Sequence, residues 1–168
     1  MSGNVYVFLL FMFVSCKEAR QTSTKEKEFY EKIEELVLSE NKPNQEYHFE
    51  IKQPQSILEY DIVYVGSLKS RNDSIKIVYR GVLSGNMSPQ YNAYLSLYTS
   101  KNKKLGKYYI SSVDMPKIQN SNLIFQNSSC DLTTTISLED NIPESIFIRC
   151  NKIKGTISGD EYTFDKEE

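Results

Sequence analysis

Few residues of this chain have the chemistry of a catalyst. His48 is the only histidine, and it falls on the polar face of a stretch in which apolar and polar residues alternate. A Ser-His-Asp or Cys-His arrangement would therefore depend on this one side chain, whereas a solitary histidine in such a stretch is typically a solvated polar position. The sequence contains no nucleophile-elbow, P-loop, dinucleotide-binding or zinc-protease motif.

Two pairs of neighbouring carboxylates are the other candidate groups. Glu139–Asp140 and Asp160–Glu161 both fall at predicted strand ends, where acidic residues commonly form turns. A glycosidase needs two carboxylates that converge across a cleft, and a sequence does not show convergence. We therefore predict a protein without enzyme activity, and a carboxylate-based hydrolase is the least favoured alternative.

The N-terminal segment has the pattern of an export signal. Ten apolar residues run from Val5 to Val14 without a charge, which is too short for a membrane-spanning helix of about 20 residues but suits the apolar region of a secretory signal. Phe13-Val14-Ser15-Cys16 then resembles the lipobox of bacterial lipoproteins, especially those of Bacteroidota. The resemblance ends at this cysteine, and it implies cleavage before Cys16 and acylation of Cys16, for example with palmitate. The alternative, a buried apolar strand or helix of a soluble protein, leaves a cysteine at this boundary unexplained.

This interpretation divides the chain into three parts: a signal peptide (1–15), a lipidated tether (16–25) and a single mostly-β domain (26–168). The tether is polar and lacks periodicity, which is typical of a flexible linker. Two or more acyl chains hold a protein stably at a membrane. The predicted location is the cell envelope, anchored by lipid to the cell membrane or the outer membrane and facing the periplasm or the surface.

The same resemblance accounts for the cysteines. One of the three is assigned to the lipid, which leaves Cys130 and Cys150 as a pair in a compartment that permits disulfides. A bridge between them would stabilise the fold by about 3 kcal/mol in the chain-entropy model, and two separate buried thiols are the alternative. Two cysteines and one histidine are too few for a structural zinc site. Neither a metal nor a cofactor is expected.

The body of the chain predicts a mainly β fold. A capping box at Ser23 and Glu26, followed by apolar residues at helical spacing up to Asn41 and Pro43, predicts one N-terminal amphipathic helix. Beyond it the apolar period changes to two, and turn clusters separate eight to ten short strands, so we expect an antiparallel sandwich or barrel-like sheet. The predicted runs are 47–52, 57–68, 74–83, 91–99, 105–113, 122–126, 132–138 and 145–150, with a closing pair at 156–157 and 162–164.

Tyrosine is abundant, with 12 residues against no tryptophan. Alternation in the stretch 91–98 places Tyr94 and Tyr98 on the face opposite to Tyr91 and its apolar neighbours. If the apolar face belongs to the core, Tyr94 and Tyr98 are exposed and form a binding surface for a sugar or a protein, which Tyr108 or Tyr109 could join. Cross-strand packing that stabilises the sheet is the alternative.

One short motif concerns modification. Asp73-Ser74-Ile75 resembles the acceptor used for O-glycosylation of exported Bacteroidota proteins, and the resemblance implies a glycan on Ser74. The alternative is a turn that leads into a strand.

The charge balance narrows the range of partners. The 20 basic and 22 acidic residues give a net charge of -2 and are evenly mixed, which leaves no electrostatic footprint for nucleic acid. The predicted function is a small, non-catalytic envelope lipoprotein that binds another macromolecule, as immunity or inhibitor lipoproteins do. A glycan-binding or envelope-structural lipoprotein is the alternative. The expected partners are a membrane, through the lipid, and an unknown protein or glycan.

Overall fold

The computed structural model describes residues 29–52, 57–71, 73–85, 88–111, 113–128 and 130–167. The predicted signal peptide, Cys16, the tether and the predicted capping box at 23–26 lie outside these residues. The chain divides into two units, Met1–Leu36 and Val37–Glu168, and all ten strands belong to the second. Within the described residues, no helix has the length and apolar character needed to cross a membrane.

The helix, α1, spans residues 29–40 and ends where the sequence predicts. Asn41 adopts a positive φ of 51°, the left-handed conformation that commonly terminates a helix. Ile33, Val37 and Leu38 are buried, whereas Leu36 is 50% exposed. The apolar stripe is therefore narrower than the spacing of apolar residues indicates.

Ten strands form two antiparallel sheets, which confirms the predicted mainly β, sandwich-like class. The larger sheet has the order β1-β2-β3-β4-β5-β10-β9, and the smaller has the order β6-β7-β8. The strands are Glu46–Lys52 (β1), Ile57–Lys69 (β2), Ser74–Ser84 (β3), Gln90–Tyr98 (β4), Lys104–Ser111 (β5), Lys117–Gln119 (β6), Asn122–Phe125 (β7), Thr134–Ser137 (β8), Ser145–Ile153 (β9) and Thr156–Lys166 (β10).

Two strands differ from the sequence prediction. The three-residue strand β6 was not predicted, because it is too short to show alternation. The closing pair at 156–157 and 162–164 is one strand, β10, whose pairing with β9 shifts register between Ser158 and Gly159. A bulge at this point interrupts the alternation of side chains, so the sequence shows two fragments where the backbone forms one strand.

The core lies on one face of the larger sheet and includes residues of the smaller sheet. Alternate residues of the central strands point into it, which is the expected consequence of the two-residue period of a strand. Ala93, Leu95 and Leu97 of β4 are fully buried, as predicted. The other main members are Ile75, Ile77, Tyr79, Tyr108, Ile110, Leu123, Phe125, Leu138, Ile146 and Ile148.

A disulfide bond joins Cys130 to Cys150, with Cα atoms 4.5 Å apart, which confirms the predicted pairing. Cys150 belongs to β9, the last strand of the larger sheet, and Cys130 lies in the loop that precedes β8. The backbone N–H of Leu132 donates to the carbonyl oxygen of Cys150 at 2.9 Å. The Arg149 N–H donates to the hydroxyl of Thr134 at 2.8 Å. The segment from Cys130 to Thr134 thus covers the outer edge of β9.

Two glycines shape the seam between β5 and β10. A side chain at Gly106 would collide with the Phe164 ring and the Asp165 carbonyl, and one at Gly159 would collide with the backbone of β9 at Ile148. Gly106 lets β10 approach β5 closely over Phe164–Lys166. Gly159 occupies the bulge, and a bulge bends its strand and increases its twist. The two strands therefore pair at one end of the seam and separate toward the other.

Candidate functional site

Tyr98 does not occupy an exposed surface. It is only 4% exposed, so the prediction that Tyr98 is exposed is wrong. Its face of the sheet is itself covered at this point, since Val78 and Ser96 on the same face are buried. Tyr98 pairs with Lys76 on one side and Lys104 on the other, and the Lys104 ammonium lies 5.8 Å from its ring. Alkyl stems of lysine commonly cover aromatic rings in this way.

Tyr94 is half-buried and belongs to a row of side chains that runs across the strands. The row lies on the face of the larger sheet opposite to the core, which we call the second face. The Arg80 guanidinium lies 4.5 Å from the centre of the Tyr94 ring. The rings of Tyr94 and Tyr109 are 5.2 Å apart. Arg80 is buried, whereas Tyr109 is 46% exposed, so the row becomes more accessible from β3 to β5.

The row continues beyond the seam onto β10 and β9. Phe147 lies between two core residues of β9, so its side chain points to the second face, where it is 46% exposed. Its partner on β10 is Glu161, and Thr163 lies on the same face as Glu161. We call Arg80, Tyr94, Tyr109 and Phe147 the aromatic row. Its exposed members, Tyr109 and Phe147, stand on either side of the seam.

A cleft of about 530 Å³ opens in the seam between β5 and β10, and Tyr109 of the aromatic row is one of its lining residues. One wall is the end of β5, and the other is the middle of β10. This volume lies within the range of about 300–1,000 Å³ that is typical of ligand sites. The lining residues are Tyr109, Ser111, Asp160, Glu161, Tyr162 and Thr163.

The cleft is polar and negatively charged beside its aromatic rings. Burial, the Asp160 carboxylate and Tyr109 raise the pKa of Tyr162, so its hydroxyl stays protonated at neutral pH. The Ser145 hydroxyl donates to Glu161 Oε1 at 2.6 Å, and the Tyr109 hydroxyl donates to Asn92 Oδ1. These contacts fix the Glu161 carboxylate and the Tyr109 ring in place at the mouth of the cleft.

The two predicted carboxylate pairs lie in different settings. Asp160 and Glu161 line the cleft but come from adjacent positions of one wall. Asp140 lies on the loop that follows β8 and forms an exposed ion pair with Arg71 at 2.7 Å. The opposite wall of the cleft, formed by Tyr109 and Ser111, carries no carboxylate among the lining residues.

His48 is an exposed residue on the core-side face of β1. Its Nδ1 lies 2.7 Å from Asp61 Oδ1 on the neighbouring strand, and 57% of its side chain is accessible. The hydrogen bond to Asp61 raises the pKa of His48 above its ordinary value of 6.5, and the charges of Asp61, Glu59 and Glu50 act in the same direction. His48 is distant from the cleft along the sheet, since the three strands β2, β3 and β4 separate β1 from β5, the nearer wall of the cleft.

An NMR titration is expected to show His48 protonating above pH 6.5. Because the pKa is raised in the folded state, the His48–Asp61 pair stabilises the fold fully below the unfolded pKa, and this contribution is lost as the pH rises through the folded pKa. Asp61→Asn removes the main cause and should lower the titration midpoint. A midpoint that Asp61→Asn leaves unchanged would show that Asp61 is not the cause.

Ser74 is the first residue of β3. Its backbone N–H donates to Asp73 Oδ1 at 2.7 Å, an arrangement in which Asp73 organises the turn before the strand. Asp73 also accepts a hydrogen bond from the Ser100 backbone at 3.4 Å. The turn that was the alternative interpretation is therefore present, and a glycan on Ser74 stays a prediction.

Sequence reasoning found only part of this site. Alternation placed Tyr94 on the second face and named Tyr109 as a neighbour. Phe147 was missed, although it interrupts the core residues Ile146 and Ile148 and so had to point to the opposite face. Among the described residues, no group of three or more His, Cys, Asp or Glu side chains could hold a metal ion. No family model, curated protein or solved structure matches this chain.

Proposed function

We propose that this chain is a small envelope lipoprotein that binds another macromolecule through the exposed part of the aromatic row and catalyses no reaction. The observation that carries the proposal is the pair of exposed rings on the second face, Phe147 and Tyr109, of which Tyr109 lines the cleft. Aromatic side chains are enriched at protein interfaces and often dominate their binding energy. An immunity or inhibitor lipoprotein, which neutralises an effector that reaches the envelope, has this character.

The anchor in this proposal depends on the N-terminal sequence. The apolar run that ends at Ser15-Cys16 resembles a lipoprotein signal, and a lipid on Cys16 would tie the body to a membrane through the tether 16–25. Stable anchoring needs two or more acyl chains. In this proposal the protein therefore meets its partner at a membrane surface, in the periplasm or outside the cell.

The absence of catalysis in this proposal is supported by the placement of the carboxylates. Asp160 and Glu161 lie side by side on one wall of the cleft, whereas the carboxylates of glycosidases flank the bond that they cleave. His48 lies on another strand, paired with Asp61 and exposed to solvent. Neither arrangement provides a general acid and a general base on opposite sides of a substrate.

A glycan-binding module is the second candidate. Tyr109 stands at the mouth of the cleft, and Ser111, Thr163 and two carboxylates line it. A sugar ring could stack on Tyr109 while its hydroxyl groups bond to these polar side chains.

Site-specific photo-crosslinking in native cells tests the proposed function. A photoreactive phenylalanine at position 109 or 147 is expected to form the same covalent adduct with one envelope protein. The matched control places the photoreactive phenylalanine at position 157. Ile157 is 44% exposed and belongs to the same strand as Glu161. It lies about 20 Å from Thr163 at 3.3 Å per residue. Equal adducts at position 157 would contradict a specific surface. An adduct with polysaccharide instead of protein would favour the second candidate.

A further inference from the structure

We propose that a second pocket, on the core side of the larger sheet, binds a zwitterionic ligand with an apolar body. The ligand is a free apolar amino acid or a short apolar peptide with free ends. The pocket has a volume of about 560 Å³, which is typical of small-ligand sites. Its lining residues are Leu105, Ile142, Glu144, Thr163, Phe164 and Lys166.

The first step of the argument is the face of the sheet on which the pocket lies. Phe164 pairs with the core residue Tyr108, and their ring centres are 5.0 Å apart. The Phe164 N–H donates to the Glu144 carbonyl oxygen at 2.8 Å, which extends the ladder of β9 and β10 by one residue. Opposite residues of a ladder share a face, as do residues two apart along a strand. Glu144 and Lys166 therefore lie on the core side. The Thr163 side chain points to the second face, so Thr163 lines this pocket only through its backbone.

The second step is a bulge that supplies one apolar wall of the pocket. The pairing of β5 with β4 shifts register between Leu97 and Tyr98, and Leu105 is the extra residue of β5. Strict alternation would direct Leu105 to the second face. A bulge re-aims side chains, and Leu105 packs against the core instead. The bulge therefore adds an apolar side chain to the margin of the core where the pocket lies.

The third step is the loop before β9, which supplies the other wall. Ile142 of this loop is partly buried against the core. The Tyr108 hydroxyl donates to the Pro143 carbonyl oxygen at 2.6 Å and so holds the loop beside the Phe164 ring. This ring lies where a side chain at Gly106 would collide with it, and it lines the pocket between the two walls. An apolar group of a ligand would be removed from water against these three apolar side chains.

The fourth step is a pair of opposite charges at the pocket. Glu144 and Lys166 are both exposed and both line the pocket. As diagonal neighbours of the ladder, their backbone positions are roughly 7–8 Å apart. Among the described residues, neither the Glu144 carboxylate nor the Lys166 ammonium has an ion-pair or hydrogen-bond partner. A ligand that carries both an ammonium and a carboxylate group would form a charge-assisted hydrogen bond with each.

The class of ligand follows from these three features together. Amino acids and peptides with free ends carry one ammonium and one carboxylate group, and an apolar side chain would lie between Leu105 and Ile142. A fatty acid lacks the ammonium group and would face Glu144 with a like charge. A sugar lacks the apolar body and both charges. A zwitterion with an apolar body is therefore the complement of this pocket.

Titration with leucine and two blocked derivatives tests the ligand class. The full-length protein, purified in detergent with 13C-labelled methyl groups, is titrated with L-leucine, N-acetyl-L-leucine or L-leucinamide. L-Leucine is expected to shift the methyl resonances of Leu105 and Ile142 but not those of Ile157, which is exposed elsewhere on β10. Each derivative lacks one charge and should bind roughly fivefold more weakly. Equal affinities of all three, or equal shifts at Ile157, would overturn the inference, as would unshifted methyl groups in the pocket.

Two further probes test the apolar body and the source of the ligand. L-Serine keeps both charges but lacks the apolar side chain, so it should bind more weakly than leucine, and equal binding would contradict a role for the apolar walls. The dipeptide Leu-Leu keeps both charges with a greater separation. Tighter binding of the dipeptide would support a peptide as the ligand, and tighter binding of leucine would support a free amino acid.

Single substitutions assign the two charges. Glu144→Gln should abolish the difference between leucine and N-acetyl-leucine, and Lys166→Met should abolish the difference between leucine and leucinamide. The matched controls are Asp165→Asn and Glu167→Gln, exposed carboxylates that alternation directs to the second face, and both differences should persist in them. Differences that persist in the first two variants would overturn the inference. The crosslinks at positions 109 and 147 belong to the opposite face and should be unchanged in all four variants, so this inference and the proposed function fail separately.

Discussion

Cys16→Ala is expected to release the protein from the membrane fraction almost completely. In the proposed arrangement the lipid on Cys16 is the anchor, and about 0.8 kcal/mol per buried CH₂ accumulates over two or more acyl chains. The described helix offers no membrane span in its place. Fractionation of cells should therefore recover the variant in the soluble fraction or as an uncleaved precursor. Mass spectrometry should find an acylated peptide beginning at Cys16 only in the protein that retains Cys16.

The matched control for this substitution is Cys150→Ala. It removes a thiol of the body and breaks the disulfide, but it should leave the protein in the membrane fraction. Recovery of the protein without any substitution, with residues 1–15 intact and no acyl group, would defeat the lipoprotein interpretation. In that case the apolar run 5–14 would have to belong to a folded element, and the paired cysteines would need another explanation than export.

The fold class was predictable because it depends on the spacing of apolar residues along the chain and on the residues that end helices and strands. Residues 47–52 alternate between apolar and polar side chains, and Asn41 with Pro43 ends the helix. Both signals are local, since side-chain direction repeats every two residues in a strand and helix stops are set by residue type. The order of strands depends instead on pairing between distant segments. No local signal indicated that β10 would insert between β5 and β9.

The error at Tyr98 has a clear physical cause. Alternation assigns a residue to one of two faces but does not say whether a face is covered. Both faces are buried at the centre of this sheet, as the full burial of Ile77 and Val78 at successive positions shows. Only toward β5 and β9 does the second face open, and there the exposed rings are Tyr109 and Phe147. Alternation therefore identified the correct face of the sheet, but the exposed rings of this face lie on β5 and β9 and not at Tyr98.

The cleft was not predictable from the residues that line it. It arises because β5 and β10 separate where their pairing ends, beyond Phe164. The sequence shows two glycines without indicating which strand each one contacts. The prediction that Asp160 and Glu161 lie at a strand end is wrong, because β10 is one strand, Thr156–Lys166, and both residues lie in its middle. Their position beside Tyr109 follows from the strand order.

The two sides of the ribbon formed by β9 and β10 differ. The segment Cys130 to Thr134 covers the outer edge of β9, and the disulfide holds this segment in place. On the other side of the ribbon, β10 pairs with β5 from Phe164 to Lys166, and the cleft lies beyond the end of this pairing. The disulfide and the proposed site thus both involve the ribbon of β9 and β10.

Replacing both Cys130 and Cys150 by serine is expected to lower the free energy of unfolding by about 3 kcal/mol. The bond closes a sequence separation of 20 residues, and in the chain-entropy model its main effect is to restrict the unfolded chain. For a protein of this size the melting temperature should fall by about 10 °C. Thermal unfolding followed by circular dichroism measures the change. The protein that retains both cysteines should, after reduction, have the same melting temperature as the double variant.

Hydrogen exchange at individual amides then distinguishes two origins of this loss of stability. If the bond also holds the covering segment on β9, the amides of Leu132 and Arg149, which donate to the Cys150 carbonyl and the Thr134 hydroxyl, should lose protection before the core does. If the bond acts only on the unfolded state, the amides that exchange through global unfolding should all lose protection by the same amount, and those that exchange through local opening should not change. We expect the first pattern, because β9 is the last strand of the sheet and its covering segment contributes no ladder of its own. Unchanged stability in the double variant would show that the bond constrains neither state.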